Sequence, residues 1–102
     1  MTARPSAPLC VVSLAYDAPL AEIDAAMADH VAWLEAGYAQ GLFLASGRKV
    51  PRTGGVILIR GEAAEVAALV ASDPFVARGL ATPTITAFVA SMAAPALADL
   101  LA

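Results

Sequence analysis

Gly54-Gly55-Val56-Ile57-Leu58-Ile59-Arg60 is the stretch that decides the architecture of this chain. Four consecutive apolar residues, mostly β-branched and bounded by a glycine pair and an arginine, are too few for an ordinary helix and read as a strand over Val56 to Arg60. Side chains alternate along a strand, so Val56 and Leu58 take one face while Ile57 and Ile59 take the other. A strand that is apolar on both faces belongs in a sheet covered on both sides.

Upstream, Gly47-Arg48-Lys49-Val50-Pro51-Arg52-Thr53-Gly54-Gly55 is a loop rich in turn residues, with the Gly54-Gly55 pair serving the turn. Phe43 to Ser46 before it reads as a strand, so two strands follow each other directly. Before them, Asp17 and Pro19 are helix-start residues. The amphipathic helix that follows runs to about Gln40, where Gly41 stops it. Gly37 sits inside that helix at some cost in propensity, which close packing would explain. Leu9 to Tyr16 is the first strand. Downstream, Gly61-Glu62 opens a second helix with Val66, Leu69 and Val70 on its buried side, and Asp73-Pro74 breaks it. Pro74 to Arg78 gives one further helical turn ended by Gly79, and Pro83 to Ala90 is a fourth strand.

The order is β-α-β-β-α-β, the ferredoxin-like α+β arrangement of a four-stranded antiparallel sheet with both crossover helices on one face. The helices cover one apolar face only, and a large apolar patch is rarely left in water. Two copies packed sheet to sheet cover the other, so a homodimer of the dimeric α/β barrel type is expected. Its pocket would lie between sheet and helices or near the dimer seam.

Composition agrees. A chain of 102 residues is one small domain, and 60% hydrophobic with 15% charged is apolar for that size. Charges interrupt every long apolar run, so nothing approaches the ~18 uninterrupted residues of a membrane span; a soluble oligomer is the expectation. The net charge of −3 argues against nucleic acid as a partner. One cysteine, Cys10, and one histidine, His30, make no metal-ligand set, and Cys10 reads as a small buried hydrophobe. The expected division is a flexible, Pro-rich leader over 1–8, the folded domain over 9–91, and a tail over 92–102. That tail reads as a short helix with Leu97, Leu100 and Leu101 on one side. The leader has no apolar core of a signal peptide, which places the protein in the cytoplasm.

At about 100° per residue, Leu20, Ile23, Met27, Val31, Leu34 and Tyr38 share one face of the first helix, and His30 falls roughly 60° from the middle of that stripe. An imidazole at the border of a buried face can be walled off from water yet open to a small ligand, and histidine is the side chain best suited to moving protons near neutral pH. The same position also suits a purely structural histidine. Trp33 and Tyr38 read as packing residues. Arg48, Lys49 and Arg52 are half of the six basic residues and lie within five positions; they read either as a solvated loop or as an attractor for an acidic substrate.

The series His30-x-x-Trp33-Leu34, Gly41-Leu42-Phe43-Leu44-Ala45-Ser46-Gly47, Gly54-Gly55-Val56-Ile57, and Asp73-Pro74-Phe75 with Gly79-Leu80 resembles the YciI-like (YCII-related) family over about Leu9 to Phe88. That resemblance implies the ferredoxin-like fold, a dimer, and a histidine and aspartate paired at the mouth of a pocket, here His30 and Asp73. It also implies a small Ser-Gly step at the end of the second strand, here Ser46-Gly47. Many members have proline after that step, where this chain has Arg48.

A carboxylate beside an imidazole fixes its tautomer and favours its charged form, and a base held in this way can take a proton beside a carbonyl. The Ser46 hydroxyl and Gly47 N–H would then bind an oxygen gaining negative charge. Asp73 has a structural explanation as well, since Asp before Pro is a standard helix N-cap, and capping leaves contact with His30 open. Ser46 has no activating triad around it. The expected function is a small enzyme, a lyase or isomerase of dehydrochlorinase type. It would need no cofactor or metal and would act on an unsaturated or hydroxylated carboxylic acid. Its catalytic residues would be His30 and Asp73, with Ser46, Gly47 and Arg48 binding substrate. The alternatives are a dimer that binds a small acid without catalysis and, more weakly, a cofactor-free oxygenase.

Overall fold

Val56 to Ile59 divides between two faces as its alternation requires: Ile57 and Ile59 are buried, Leu58 is half-buried and Val56 is 38% exposed. In the computed structural model, which describes residues 6–102, this strand lies inside a four-stranded sheet. The elements are β1 (Ala7–Tyr16), α1 (Leu20–Ala39), β2 (Phe43–Arg48), β3 (Gly54–Arg60), α2 (Ala63–Val70), α3 (Pro74–Ala77), β4 (Ala81–Ala90) and α4 (Pro95–Leu101). The sheet order is β2-β3-β1-β4 with every neighbouring pair antiparallel. This is the ferredoxin-like α+β arrangement expected from the sequence. No described helix is long and apolar enough to cross a membrane.

Several boundaries differ from the sequence reading. β1 begins at Ala7 rather than Leu9, because Ala7 and Pro8 pair with Ala90 and Val89. Two residues assigned to the leader are therefore sheet, and residues 1–5 lie outside the described residues. Gly54 and Gly55 are strand rather than turn residues. A Cβ on Gly54 would fall 1.7 Å from the Leu14 carbonyl oxygen, so backbone proximity within the sheet demands glycine there. Asp17 does not cap α1, whose N-cap is Pro19; the Asp17 carboxylate accepts from the Thr82 hydroxyl instead.

The core between sheet and helices is built from Cys10, Val12 and Leu14 of β1, Ile57 and Ile59 of β3, Phe43, Ile23 and Ala26 of α1, Val66 and Val70 of α2, and Phe75 of α3. α1 lies on it in a different rotation from the one its large apolar residues suggested. Ile23, Ala26, His30 and Gly37 are buried, whereas Leu20, Val31 and Tyr38 are each at least 40% exposed. Two of these four buried residues, Ala26 and Gly37, are small and permit close approach. The Phe43 ring occupies the space a Cβ on Gly37 would need, with ring atoms 2.3 Å from that position. His30 therefore sits in the middle of the buried stripe, not at its border.

The opposite face of the sheet is covered in part by this chain's own tail. Leu101 of α4 is buried with Ala7, Leu9 and Ala90, and Leu44 and Leu97 pack against them. Arg60 anchors the end of α4, donating to the carbonyl oxygens of Leu100 at 2.8 Å and Ala102 at 3.2 Å. Of the tail residues read as one apolar side, Leu100 is 62% exposed. Val56 and Phe88, at 38% and 44%, mark the part of this face that α4 leaves open.

Candidate functional site

A β-bulge in β2 aims two of the expected site residues. Phe43 pairs with Ile59, but Ala45 pairs with Leu58, so Leu44 is the extra residue. Cross-strand partners share a face. Beyond the bulge Ser46 lies opposite buried Ile57 and Arg48 opposite Gly55, which puts both on the helix side with Phe43. Without the extra residue the same strand would carry them to the opposite face.

There they border a cavity of about 240 Å³ between the sheet and α1. Leu14 and Ile57 line it from the sheet, Met27, Val31 and Leu34 from α1, and Phe75 from α3. Its polar groups come from His30, Tyr16, Ser46 and Arg48, with Gly47 and Gly55 adding backbone to the lining. A mostly apolar pocket with a few convergent polar groups is the usual form of a small-molecule site. Ser46 Oγ is 2.7 Å from the Tyr38 hydroxyl, so Tyr38 does more than pack. The basic trio is divided. Arg52 is bound to Asp24 at 2.5 Å, while Arg48 lines the cavity and has no ion-pair partner among the described residues. The Arg52 hydrogen bond holds the exposed Asp24 carboxyl below its ordinary range.

Asp73 stands behind His30. Its Oδ1 is 2.7 Å from His30 Nδ1 and also accepts the Phe75 N–H at 3.1 Å. The second bond is an N-cap of α3, with Pro74 at N1. Capping and contact with His30 thus occur together on one oxygen. Asp73 is completely buried and its Oδ2 has no hydrogen-bond partner among the described residues. Burying a carboxylate is costly unless it is paired, and the available partner is His30. An ionised carboxylate only accepts, and such a partner would put the proton on Nδ1 and the lone pair of the neutral ring on Nε2. Nε2 has no hydrogen bond to any described residue, and it is not among the sealed, unpartnered polar atoms.

Aromatic packing fixes the plane of the imidazole. Its centroid is 3.9 Å from that of Phe75 with the planes 7° apart, and 6.0 Å from that of Trp33. Phe75 meets Tyr16 edge-on, Trp33 lies 4.9 Å from Phe43, and Phe43 meets Tyr38. His30 is thus the middle of a continuous row that uses five of the six aromatic residues. Phe75, Tyr16 and Tyr38 were not singled out for the site by sequence. Only Phe75 had a signal, its place beside Asp73-Pro74.

Cys10 is fully buried, and burial together with nearby Glu62 pushes its thiol up, away from the reactive thiolate. Among the described residues, no group of three or more His, Cys, Asp or Glu side chains is placed to hold a metal ion.

A four-stranded ferredoxin-like sheet with an apolar cavity under its long helix, and a carboxylate-backed imidazole on the cavity wall, places the chain among small ferredoxin-like α+β proteins. The YCII-related domain model matches residues 9–89, and the chain belongs to that family. Its fold is similar to that of 5-chloro-2-hydroxyhydroquinone dehydrochlorinase (TftG) from Burkholderia phenoliruptrix AC1100, solved in complex with 2,5-dihydroxybenzoquinone. That likeness has a TM-score of 0.62 at 24% identity and covers 76% of this chain and 90% of the other. A search of curated protein sequences gave no match.

Proposed function

We propose that this chain is a small enzyme of the lyase or isomerase class, dehydrochlorinase-like. It moves a proton on a small acidic molecule, an unsaturated or hydroxylated carboxylic acid or a hydroxylated ring of similar size. The observation that carries this reading is the division of labour on one ring. His30 Nδ1 is held by a buried carboxylate at 2.7 Å, which leaves Nε2 unpartnered on a residue that lines the cavity.

In the proposed reaction Nε2 takes a proton from a substrate carbon. The C–H electron pair becomes a new C=C bond, and in an elimination the leaving group departs with its own bonding pair. In an isomerisation the proton returns at another carbon. Asp73 keeps Nδ1–H in place and meets the imidazolium that forms. The Ser46 hydroxyl, oriented by Tyr38, and the Gly47 backbone receive the oxygen on which negative charge collects. Arg48 draws the anion to the cavity mouth. The fold neighbour, by its name a dehydrochlorinase bound to a small hydroxylated ring, supports the reaction class. The proposal includes a homodimer in the cytoplasm, joined through the sheet face that α4 leaves open.

The test is chloride release from 5-chloro-2-hydroxyhydroquinone and a panel of small halogenated hydroxy acids, with His30→Gln as the control. Turnover by the natural chain that is lost in His30→Gln, with ligand binding kept within a few-fold, is the expected result. Ligand binding with no turnover across the panel, weakened by His30→Gln, would instead make this a binding module.

A further inference from the structure

Trp33 follows His30 by one helical turn on α1, so the two side chains share a face. The indole Nε1–H donates to Ser72 Oγ at 3.0 Å, and Ser72 Oγ donates in turn to the Leu69 carbonyl at 2.5 Å. Leu69 lies in the last turn of α2, and Ser72 immediately precedes Asp73. α1 therefore grips the same short turn at two consecutive residues, Ser72 through Trp33 and Asp73 through His30. Further along, Asp29 of α1 pairs with Arg78 at 2.6 Å, at the C-terminal end of α3.

We infer that Trp33 is a positioning residue. Through Ser72 it sets the height of the Asp73 carboxylate against His30 Nδ1 and so fixes which ring nitrogen faces the cavity unprotonated. The Asp73 carboxylate has few other polar restraints. Among the described residues its Oδ1 carries both of its hydrogen bonds and its Oδ2 has none, so the carboxylate follows the backbone of the turn. That backbone is tied to α2 by Ser72 N–H to Leu69 O at 3.1 Å and Asp73 N–H to Val70 O at 3.0 Å. Neither bond reaches α1. The Trp33–Ser72 bond ties the start of the turn to the helix bearing His30, as the Asp29–Arg78 pair ties its far end. A shift of a few tenths of an ångström there lengthens a 2.7 Å charge-assisted contact past its best range. Which ring nitrogen of a histidine holds the proton is set by the hydrogen bond that the other makes.

This inference rests on the proposed proton-transfer role of His30, and the experiment separates the two. His30 is the single histidine, so its ring nitrogens are assigned directly in a ¹⁵N–¹H correlation spectrum recorded with the ring neutral. In the natural chain the Nδ1–H form is expected to dominate. Ser72→Ala, which removes the acceptor and leaves the indole in place, and Trp33→Phe, which keeps an aromatic ring, are each expected to lower the Nδ1–H to Nε2–H ratio severalfold. Ser72→Thr, which keeps the hydroxyl, is expected to restore it. Backbone amide spectra report whether each variant retains the fold, and Ser72→Ala carries the test if Trp33→Phe does not. An unchanged ratio in folded Ser72→Ala, against a natural chain that is Nδ1–H, overturns the positioning role alone. A natural chain that is Nε2–H overturns the proton-transfer reading and this inference with it.

Discussion

Asp73 and Phe75, two residues apart, hold one imidazole from two directions: Asp73 Oδ1 bonds its edge at 2.7 Å, and the Phe75 ring lies parallel to its face at 3.9 Å. The pair is also bonded internally, since Phe75 N–H donates to the same Oδ1. Removing the carboxylate takes away a helix cap and leaves a buried imidazole unpartnered. Asp73→Ala is therefore expected to cost about 1–3 kcal/mol of stability. Asp73→Asn, which keeps a capping oxygen, is expected to cost less. Urea midpoints measure both, and a loss from Asp73→Ala no larger than that from Asp73→Asn would contradict the double role of Oδ1.

Gly37 in α1 is expected to be intolerant of alanine. Propensity favours Gly37→Ala by about 1 kcal/mol, but a Cβ there would lie 2.3 Å from the Phe43 ring, and overpacking costs about 1–3 kcal/mol. The overpacking term wins because Phe43 is itself buried, with the Trp33 ring 4.9 Å away and Tyr38 edge-on to it. Net destabilisation of Gly37→Ala, relieved in combination with Phe43→Leu, is the expected pattern in thermal unfolding. A stabilised Gly37→Ala would show that the ring moves aside freely.

The Asp24–Arg52 bond joins α1 to the β2–β3 loop, and folding lowers the Asp24 carboxyl. A lowered acid stabilises the fold above its unfolded value, and that contribution disappears as pH falls through the lower folded value. The natural chain should thus lose part of its stability on the acid side of the ordinary aspartate range. Arg52→Gln should flatten that limb while leaving its neutral-to-alkaline slope unchanged. Both groups are partly exposed, so the effect should be small and should shrink with added salt. Stability profiles between pH 2 and 6 that superimpose for the two chains would show that the bond contributes nothing in solution.

The sheet face that α4 leaves open carries Val56 and Phe88, both more than a third exposed. Sedimentation at micromolar concentration is expected to give a dimer, and Phe88→Glu is expected to shift it towards monomer. A stable monomer for the natural chain would contradict the pairing of copies through this face.

Much of the fold was legible because its elements follow simple periods. The strand at Val56 to Ile59, the break at Asp73-Pro74 and the stop at Gly41 each rest on a local rule that tertiary contacts reinforce. The errors share another cause. Large apolar side chains set the expected rotation of α1, yet Ala26 and Gly37 set the observed one, because close approach is governed by the smallest residues on a face. Gly54 reads as a turn residue until the Leu14 carbonyl beside it is known. The bulge at Leu44 has no local signature, although it decides that Ser46 and Arg48 face the cavity. Of the candidate site, His30 and Asp73 came from a resemblance and not from periodicity. Tyr38 was invisible, since its hydroxyl matters only through Ser46.

The central claim is that Asp73 holds His30 with its proton on Nδ1, leaving Nε2 as the working base beside the cavity. The most direct measurement is the tautomer of the single histidine, read from ¹⁵N–¹H correlations of the natural chain and of Asp73→Asn with the ring neutral. A natural chain predominantly Nδ1–H, shifting towards Nε2–H when Asp73 is replaced, is the result this account predicts. An Nε2–H ring that Asp73→Asn leaves unchanged would contradict it and would reduce Asp73 to the cap of α3.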